Sequence, residues 1–209
     1  MLKAFTDGAH PERVILTDDP LRAKMLAAHH LEYAALIFEQ GDVLVYFGSY
    51  NGTAMALVAV GFERGAVLDF VREAGAYGVA EVLYIGACVG ISARQPLRTV
   101  VLAAGGSRRL LDRARAAARL HNIPVVTGTV VPAGGGDMVY DGVIDDAAAA
   151  LYGQARIGGV DALSILTVSE NAMTGEKMEE HELRSRFYAA ARLVFETFAY
   201  SPDEKGDNG

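Results

Sequence analysis

The chain has few of the features that mark secreted, membrane-spanning or nucleic-acid-binding proteins. It contains one cysteine, Cys88, so no disulfide can form within the chain, and a reducing compartment is expected. No apolar run approaches the roughly 20 residues that a membrane-spanning helix needs, and the first 13 residues lack the apolar core of a signal peptide. The formal net charge is −7, and no basic run offers the positive surface that nucleic acids require. We therefore expect a cytoplasmic protein that binds neither membranes nor nucleic acid.

Several common ligand-binding motifs are also missing. The chain has neither of the glycine-rich nucleotide patterns GxGxxG and GxxxxGK[ST], so the triple glycine at 134–136 predicts a hinge or lid. His29 and His30 have no third ligand at metal-binding spacing. Cys88 has no CxxC partner and no adjacent histidine, which favours packing in the core over a nucleophilic role. The sequence thus predicts neither a metal site nor a cofactor.

What the chain does have is apolar material in alternating strand and helix patterns. Hydrophobic residues make up 51% of its 209 residues, which fits one domain over 1–200 followed by a disordered tail over 201–209. Apolar runs predict strands at 13–17, 31–38, 42–50, 53–60, 79–88, 99–104, 123–131 and 161–170. Helical periodicity and caps predict helices at 20–30, 64–76, 107–120, 145–157 and 176–199. This order predicts an α/β fold, and the Asn51-Gly52 hairpin makes its largely parallel sheet a mixed one.

Three predicted strand ends stand out, 17-TDD-19, 86-GAC-88 and 167-TVSE-170, because ligands gather where strands end in such sheets. Asp19 fits the cap of the first helix, and Pro20 fits its first position. Asp18 is open to two interpretations. It either adds a second favourable charge at the helix N-terminus or points into a cleft as a hydrogen-bond acceptor or base.

Two further acidic groups carry the same ambiguity. Ser169 and Glu170 follow an apolar strand, where a carboxylate either acts as a general acid or hydrogen-bond partner or caps a loop. Asp145 and Asp146 open the Ala-rich helix. They either cap this helix or bind the hydroxyls of a diol, and the sequence favours neither role.

Three segments resemble the nucleoside phosphorylase family, which includes bacterial purine nucleoside phosphorylase and uridine phosphorylase. The run 14-VILTDDPLRAKML-26 resembles the family's strand followed by Gly-Asp-Pro-x-Arg. The run 46-YFGSYNGTAMAL-57 resembles its FTGTYKG hairpin. The segment 162-ALSILTVSENAMTGEKMEEHELRSRF-187 resembles its T-V-S-D/N…TGE…ER stretch. Order and spacing agree from about residue 13 to 198, although the middle is shorter than usual. The resemblance implies a single-domain, three-layer phosphorylase-like fold with a mixed twisted sheet flanked by helices.

The same resemblance implies an activity and partners. Members cleave the N-glycosidic bond of a purine or pyrimidine nucleoside with phosphate, giving a free base and ribose 1-phosphate. They use no cofactor in this reaction. A neighbouring subunit completes their sites, so a homo-oligomer is expected, either a dimer or a hexamer of dimers.

Matching positions give candidate site residues. Glu170 and Asp18 are the catalytic candidates, and Arg22 and Gly86 are the phosphate-binding candidates. The substrate-binding candidates are Tyr84, Ala87, Asp145, Asp146 and Ser169.

The chain departs from the family pattern mainly at the phosphate. Asp18 occupies the position of a glycine in the family pattern. Tyr84 occupies the position of an arginine, and Ala87 occupies the position of a serine. Ala147 replaces the ribose-binding glutamate, which leaves the two preceding aspartates as substitutes. An aspartate about 4 Å from phosphate repels it by on the order of 4 kcal/mol per charge pair; Arg64 is a candidate for compensation.

Three hypotheses follow from this pattern. The first is a phosphorylase with an altered pocket, hence a pentosyltransferase. The second is a hydrolytic nucleosidase in which Asp18 activates water. The third is a homologue that binds nucleosides without turning them over.

Overall fold

A computed structural model describes residues 11–63, 65–133, 142–179, 181–182 and 187–200. The predicted tail at 201–209, the triple glycine at 134–136 and Arg64 lie outside the described residues. None of the described helices is both long and apolar enough to cross a membrane.

The centre of the fold is a ten-stranded sheet that runs in the order β2-β3-β4-β1-β5-β10-β6-β7, with β8 and β9 joined at the side through β5. The strands are β1 Arg13–Thr17, β2 Glu32–Gln40, β3 Val43–Tyr50, β4 Thr53–Ala59, β5 Glu81–Gly90, β6 Val100–Ala103, β7 Val125–Gly128, β8 Val130–Val131, β9 Val143–Ile144 and β10 Asp161–Asn171. The inner strands β4, β1, β5 and β10 run parallel, whereas β2, β3 and β4 form an antiparallel meander. The predicted mixed sheet is therefore confirmed.

Helices cover both faces of the sheet and make it the middle of three layers. They are α1 Pro20–His30, α2 Ala66–Ala74, α3 Arg108–Leu120, α4 Asp146–Gly158 and α5 Tyr188–Ala199. Buried residues of α1, α3 and α5 join one hydrophobic cluster, and buried residues of α2 and α4 join the other. Successive residues of a strand point to opposite faces, so each inner strand feeds both clusters. The three-layer α/β architecture is as predicted.

The turn from β1 into α1 has the helix cap that the sequence predicts. Asp19 caps the helix, since its Oδ1 accepts hydrogen bonds from the backbone N–H groups of Leu21 at 2.9 Å and Arg22 at 3.2 Å. Pro20 occupies the first helical position, where its missing N–H leaves nothing unpaired. This compact turn fixes Asp18 at the carboxyl end of β1.

The predicted helix over 176–199 is wrong in its first part. Asn171 accepts hydrogen bonds from the backbone of Met173 and Thr174 and so organises a tight turn. Gly175 continues that turn with a φ of +73°, and Lys177 then pairs back as an antiparallel bridge to Glu170. The helix that reaches Ala199 begins only at residue 188.

The predicted strand over 123–131 is also divided. Val125–Gly128 pairs with β6, whereas Val130–Val131 pairs with β9. One apolar run therefore forms two short strands that pair with different neighbours. The point at which the run divides depends on those pairing partners, which lie far away in the sequence.

Candidate active site

A cavity of about 320 Å³ opens at the carboxyl end of β1, between the start of α2 and the start of α4. Of the predicted site residues, Asp18 and Asp146 line this cavity, together with Ala147. Phe62 and Glu63, which the sequence did not single out, form its outer wall. The remaining lining residues are Gly61, Gly65, Val67 and Leu68. We refer to this space as the carboxylate cavity.

Tyr84 is a buried residue of β5, and it pairs with Leu16 of β1, the strand that leads to Asp18. It is 2% exposed, and its phenol lies near the carboxylate of Asp18. Burial raises the pKa of Tyr84 well above its usual value, and the charges of Asp18 and Asp145 add to the rise. The ring lies across Gly86, where a β-carbon would come within 2.8 Å of the Tyr84 hydroxyl oxygen. A neutral phenol thus fills the space above the glycine predicted to bind phosphate.

Arg22 is buried against carboxylates of its own turn. Its Nη1 donates to the Thr17 hydroxyl at 3.0 Å and to Asp18 Oδ1 at 3.1 Å, and its Nη2 lies 3.7 Å from Asp19 Oδ2. The guanidinium carbon sits 4.3 Å from the centre of the Phe187 ring, an attractive cation–π arrangement. Arg22 Nε is buried and has no hydrogen-bond partner among the described residues. Two neighbouring aspartates therefore offset the positive charge that was predicted to hold phosphate.

Asp145 and Asp146 open α4 with different surroundings. Asp145 is the N-cap and accepts from the backbone of Ala148 at 2.9 Å. Burial raises the pKa of Asp145 to about 6, and the nearby charges of Asp18 and Asp146 add to this rise. Asp146 accepts from the backbone of Ala133 at 2.7 Å while also lining the carboxylate cavity. Asp145 therefore caps α4, and Asp146 lines the carboxylate cavity.

The raised pKa of Asp145 predicts a pH-dependent stability. The folded protein binds the Asp145 proton more tightly than the unfolded chain does, so this stabilisation is complete below pH 4 and is lost as pH rises to about 6. Allowing for partial exposure, roughly 2 kcal/mol is at stake. Asp145→Asn keeps a good N-cap, so we expect the variant to be more stable than the wild type above pH 6. Urea unfolding at pH 4, 5, 6 and 8 measures the difference.

The matched control for this prediction is Asp112→Asn, which removes one negative charge from the exposed surface of α3. Its effect on the free energy of unfolding should stay within about 0.5 kcal/mol. An Asp145→Asn profile parallel to that of the wild type from pH 4 to 8 would contradict the assignment.

Glu170 and Ser169 lie at the end of β10, beside a bulge that interrupts its pairing with β5. Ser169 Oγ donates to the carbonyl of Cys88 at 3.2 Å. Glu170 Oε1 lies 2.8 Å from Lys177 Nζ, and both side chains keep contact with solvent. The backbone N–H of Met178 donates to the Ser169 carbonyl at 2.8 Å, which holds this cation beside the carboxylate. Lys177 is a neighbour that sequence reasoning did not identify.

Ala87 and Cys88 do not join the carboxylate cavity. Ala87 packs against the cluster under α1, α3 and α5, on the face of the sheet opposite Tyr84. Cys88 is buried among apolar residues, and burial raises the pKa of its thiol, with Asp145 adding to the rise. Cys88 therefore packs in the core, as predicted. Within the described ranges, no three His, Cys, Asp or Glu side chains are arranged to hold a metal ion.

Several curated proteins similar to this chain are described as purine nucleoside phosphorylases. The chain is 30% identical over 213 residues to a purine nucleoside phosphorylase DeoD-type of Psychromonas ingrahamii, covering 87% of this chain and 90% of that protein. It is 29% identical to the DeoD-type 2 protein of Aliivibrio fischeri, covering 91% of this chain and 94% of that protein. A purine nucleoside phosphorylase DeoD-type of Bacillus velezensis is 29% identical, with 91% and 95% covered. No family model matches the chain.

Proposed function

Because this chain belongs to the nucleoside phosphorylase family, we propose that it cleaves the N-glycosidic bond of a nucleoside with inorganic phosphate as the acceptor. The relatives are named purine nucleoside phosphorylases, so purine nucleosides are the substrate class we propose first. The observation that carries the proposal is a similarity that spans about nine tenths of both chains.

The proposed reaction exchanges one bond at the sugar for another. The bond from ribose C1′ to the base nitrogen breaks, and its electron pair leaves with the base, which takes up a proton. A phosphate oxygen then forms the new bond to C1′ and gives ribose 1-phosphate. Cleavage at a sugar carbon of this kind passes through a cation-like state, which nearby carboxylates stabilise. Asp18 and Asp146 provide such charge on the wall of the carboxylate cavity.

We assign roles to the remaining candidates in the same scheme. Glu170 is proposed to hold or protonate the departing base, with Ser169 beside it. Asp145 and Asp146 take the ribose hydroxyls in place of the glutamate that Ala147 replaces, since carboxylates accept charge-assisted hydrogen bonds from hydroxyls. Arg22 is proposed to hold the phosphate through the charge of its guanidinium, and Tyr84 is proposed to lie against the substrate beside Asp18.

A homo-oligomer is part of the proposal. Strand β2 lies at the edge of the sheet and pairs on one side with β3. Tyr33, Leu36 and Ile37 of this strand are exposed. A long edge strand with apolar side chains is a surface that proteins usually cover, and a second copy of the chain is the partner that we propose.

The test is a panel of purine and pyrimidine nucleosides incubated with the purified protein, with and without inorganic phosphate. Released base is measured by chromatography and the sugar product by phosphorus NMR. We expect base release that depends on phosphate, with ribose 1-phosphate as the second product.

Other results of the same assay separate the competing functions. Base release at an unchanged rate without phosphate, with free ribose as product, would replace the proposal by hydrolysis. That reaction has one structural argument in its favour, because Asp18 lines the cavity where a water molecule would need a base. Thermal stabilisation by a nucleoside without any base release would indicate a binding protein instead.

A further inference from the structure

The side of the carboxylate cavity that α2 forms is largely apolar. Val67 and Leu68, in the first turn of α2, line this side together with Phe62. Phe62 is 67% exposed, so most of its ring is free to pack against a ligand, and aromatic rings contribute strongly to such contacts. We call Phe62, Val67 and Leu68 the apolar wall. None of the three has a role in the reaction proposed above.

The pairing of β1 with β4 places Phe62 beside Asp18. The two strands run parallel, and at their carboxyl ends the backbone N–H of Val60 donates to the carbonyl of Thr17 at 3.1 Å. Gly61 then directs the chain out of β4 with a φ of +78°, a conformation that favours glycine. Because β4 and β5 lie on opposite sides of β1, Phe62 follows the strand on the side of Asp18 away from β5.

The order of the strands decides which part of a nucleoside meets the apolar wall. The parallel strands β4, β1, β5 and β10 follow one another across the sheet, so Phe62 and Glu170 end on opposite sides of Asp18. In the proposed function Glu170 takes the base, and the aspartates at the start of α4 take the 2′ and 3′ hydroxyls. The base is attached to C1′ and the C5′ carbon to C4′, which lie on either side of the ring oxygen. The C5′ end of the sugar therefore points away from β10 and toward the apolar wall.

We infer that Phe62 determines specificity at the C5′ end of the nucleoside, and that the preferred substrates are 5′-deoxynucleosides, which carry an apolar group there. The inference rests on the proposed function for the position of the sugar. A 5′-hydroxyl against the apolar wall loses water without gaining a partner, which is unfavourable. A methyl group at the same place gains contact with the Phe62 ring. Glu63 is the competing group, because its exposed carboxylate lines the same cavity and is an acceptor for a hydroxyl.

The test compares the binding of adenosine and 5′-deoxyadenosine without phosphate, so that the result does not depend on phosphorolysis. Thermal unfolding at increasing nucleoside gives both dissociation constants through ligand-induced stabilisation. We expect the wild type to bind 5′-deoxyadenosine about 10- to 100-fold more tightly, the discrimination that an apolar pocket achieves against an added hydroxyl. Phe62→Ser should reduce this preference to less than about threefold, because the apolar contact is lost and a polar partner for the hydroxyl is gained.

Three further variants identify the group responsible. Phe62→Leu keeps an apolar side chain and should keep the wild-type preference. Ile157→Ala removes an apolar side chain of similar exposure, 69%, near the opposite end of α4 from Asp146, and should also keep it. Glu63→Gln removes the competing carboxylate and should leave the preference unchanged.

The inference is wrong if the wild type binds adenosine at least as tightly as 5′-deoxyadenosine, or binds neither. It is equally wrong if Phe62→Ser keeps the full preference. A preference for adenosine that Glu63→Gln abolishes would show instead that Glu63 holds the 5′-hydroxyl. Base release in the presence of phosphate is measured separately. Base release by a protein that lacks the preference would overturn this inference alone, and the preference without base release would overturn the proposed function alone.

Discussion

Replacing Glu170 by glutamine is expected to lower kcat for nucleoside cleavage by about 10²–10⁴-fold, the range for loss of a general acid or base. Glutamine keeps the length of the side chain but cannot exchange a proton with the departing base. The Glu170 carboxylate lies at the carboxyl end of β10, partly open to solvent and 2.8 Å from Lys177 Nζ. Steady-state kinetics with the nucleoside that the wild type cleaves fastest, at saturating phosphate, measures the effect.

The nature of the substrate provides a sharper version of this test. A nucleoside whose base already carries a positive charge, such as 7-methylguanosine, releases a neutral base and needs no proton from the enzyme. The loss in kcat for Glu170→Gln should therefore shrink to less than about tenfold with that substrate, if Glu170 supplies a proton. An equal loss with both substrates would point to a role in holding the base instead.

Glu176→Gln is the matched control for Glu170→Gln. Glu176 lies six positions later, is exposed and accepts a hydrogen bond from Thr174. The kcat of Glu176→Gln should stay within about twofold of the wild type, because surface substitutions away from special features have small effects. A Glu170→Gln variant that keeps more than about a third of wild-type kcat would remove Glu170 from the proposed mechanism, because general acid–base roles contribute far more than that.

The parts of the fold that depend on neighbouring residues were predictable from the sequence. The cap at Asp19 and the hairpin at Asn51-Gly52 follow from residues within four positions of each other, and the structure has both. Asn51 and Gly52 adopt positive φ values of 47° and 72°, as this turn between strands requires. The salt bridge from Arg22 to Asp18 also joins positions four apart, although Asp18 precedes the cap of α1 and lies outside the helix.

The turn after β10 was missed because long-range contacts decide it. The side-chain amide of Asn171 donates to the carbonyls of Ser92 and Gln95, which lie almost 80 positions earlier in the chain. These bonds fix the end of β10 and direct the following residues back along it. The apolar residues from Leu183 to Phe198 recur at helical spacing, and the predicted helix extended from them back to residue 176.

The carboxylate cavity also combines residues that the sequence identified with contacts that only the folded chain creates. The resemblance identified Asp18 and Tyr84 separately, but their proximity depends on the pairing of β1 with β5. Phe62 and Glu63 follow β4 without any periodic or motif pattern, so nothing in their spacing marks them.

The largest effect on stability is expected at Glu81, at the end of β5 away from the candidate active site. This residue is 4% exposed, and its carboxylate pairs with three guanidinium groups. Arg13 Nε lies at 3.2 Å, Arg109 Nη2 at 2.9 Å and Arg113 Nη1 at 3.0 Å. One buried carboxylate thus joins β1, β5 and α3. It also separates three positive charges that would otherwise repel one another.

Glu81→Gln is therefore expected to lower the free energy of unfolding by about 3–5 kcal/mol, as when one partner of a buried ion pair is removed. Arg113 is the most buried of the three arginines, so its charge is the one left least compensated. For a chain of this length the midpoint of thermal unfolding should fall by roughly 10 °C. Urea denaturation followed by circular dichroism at pH 7 measures the free energy directly.

Asp161→Asn is the control for Glu81→Gln, because Asp161 pairs with the same Arg109 at 2.7 Å but at an exposed position. Exposed pairs contribute about 0–1 kcal/mol, so this variant should unfold close to the wild type. A Glu81→Gln effect as small as that of Asp161→Asn would mean that water screens the Glu81 cluster in solution. Because Glu81 begins β5 and Gly90 ends it, the folded fraction of Glu81→Gln should keep the wild-type kcat. A fall in kcat per folded molecule would show instead that the cluster at this end of the sheet supports the geometry of the site.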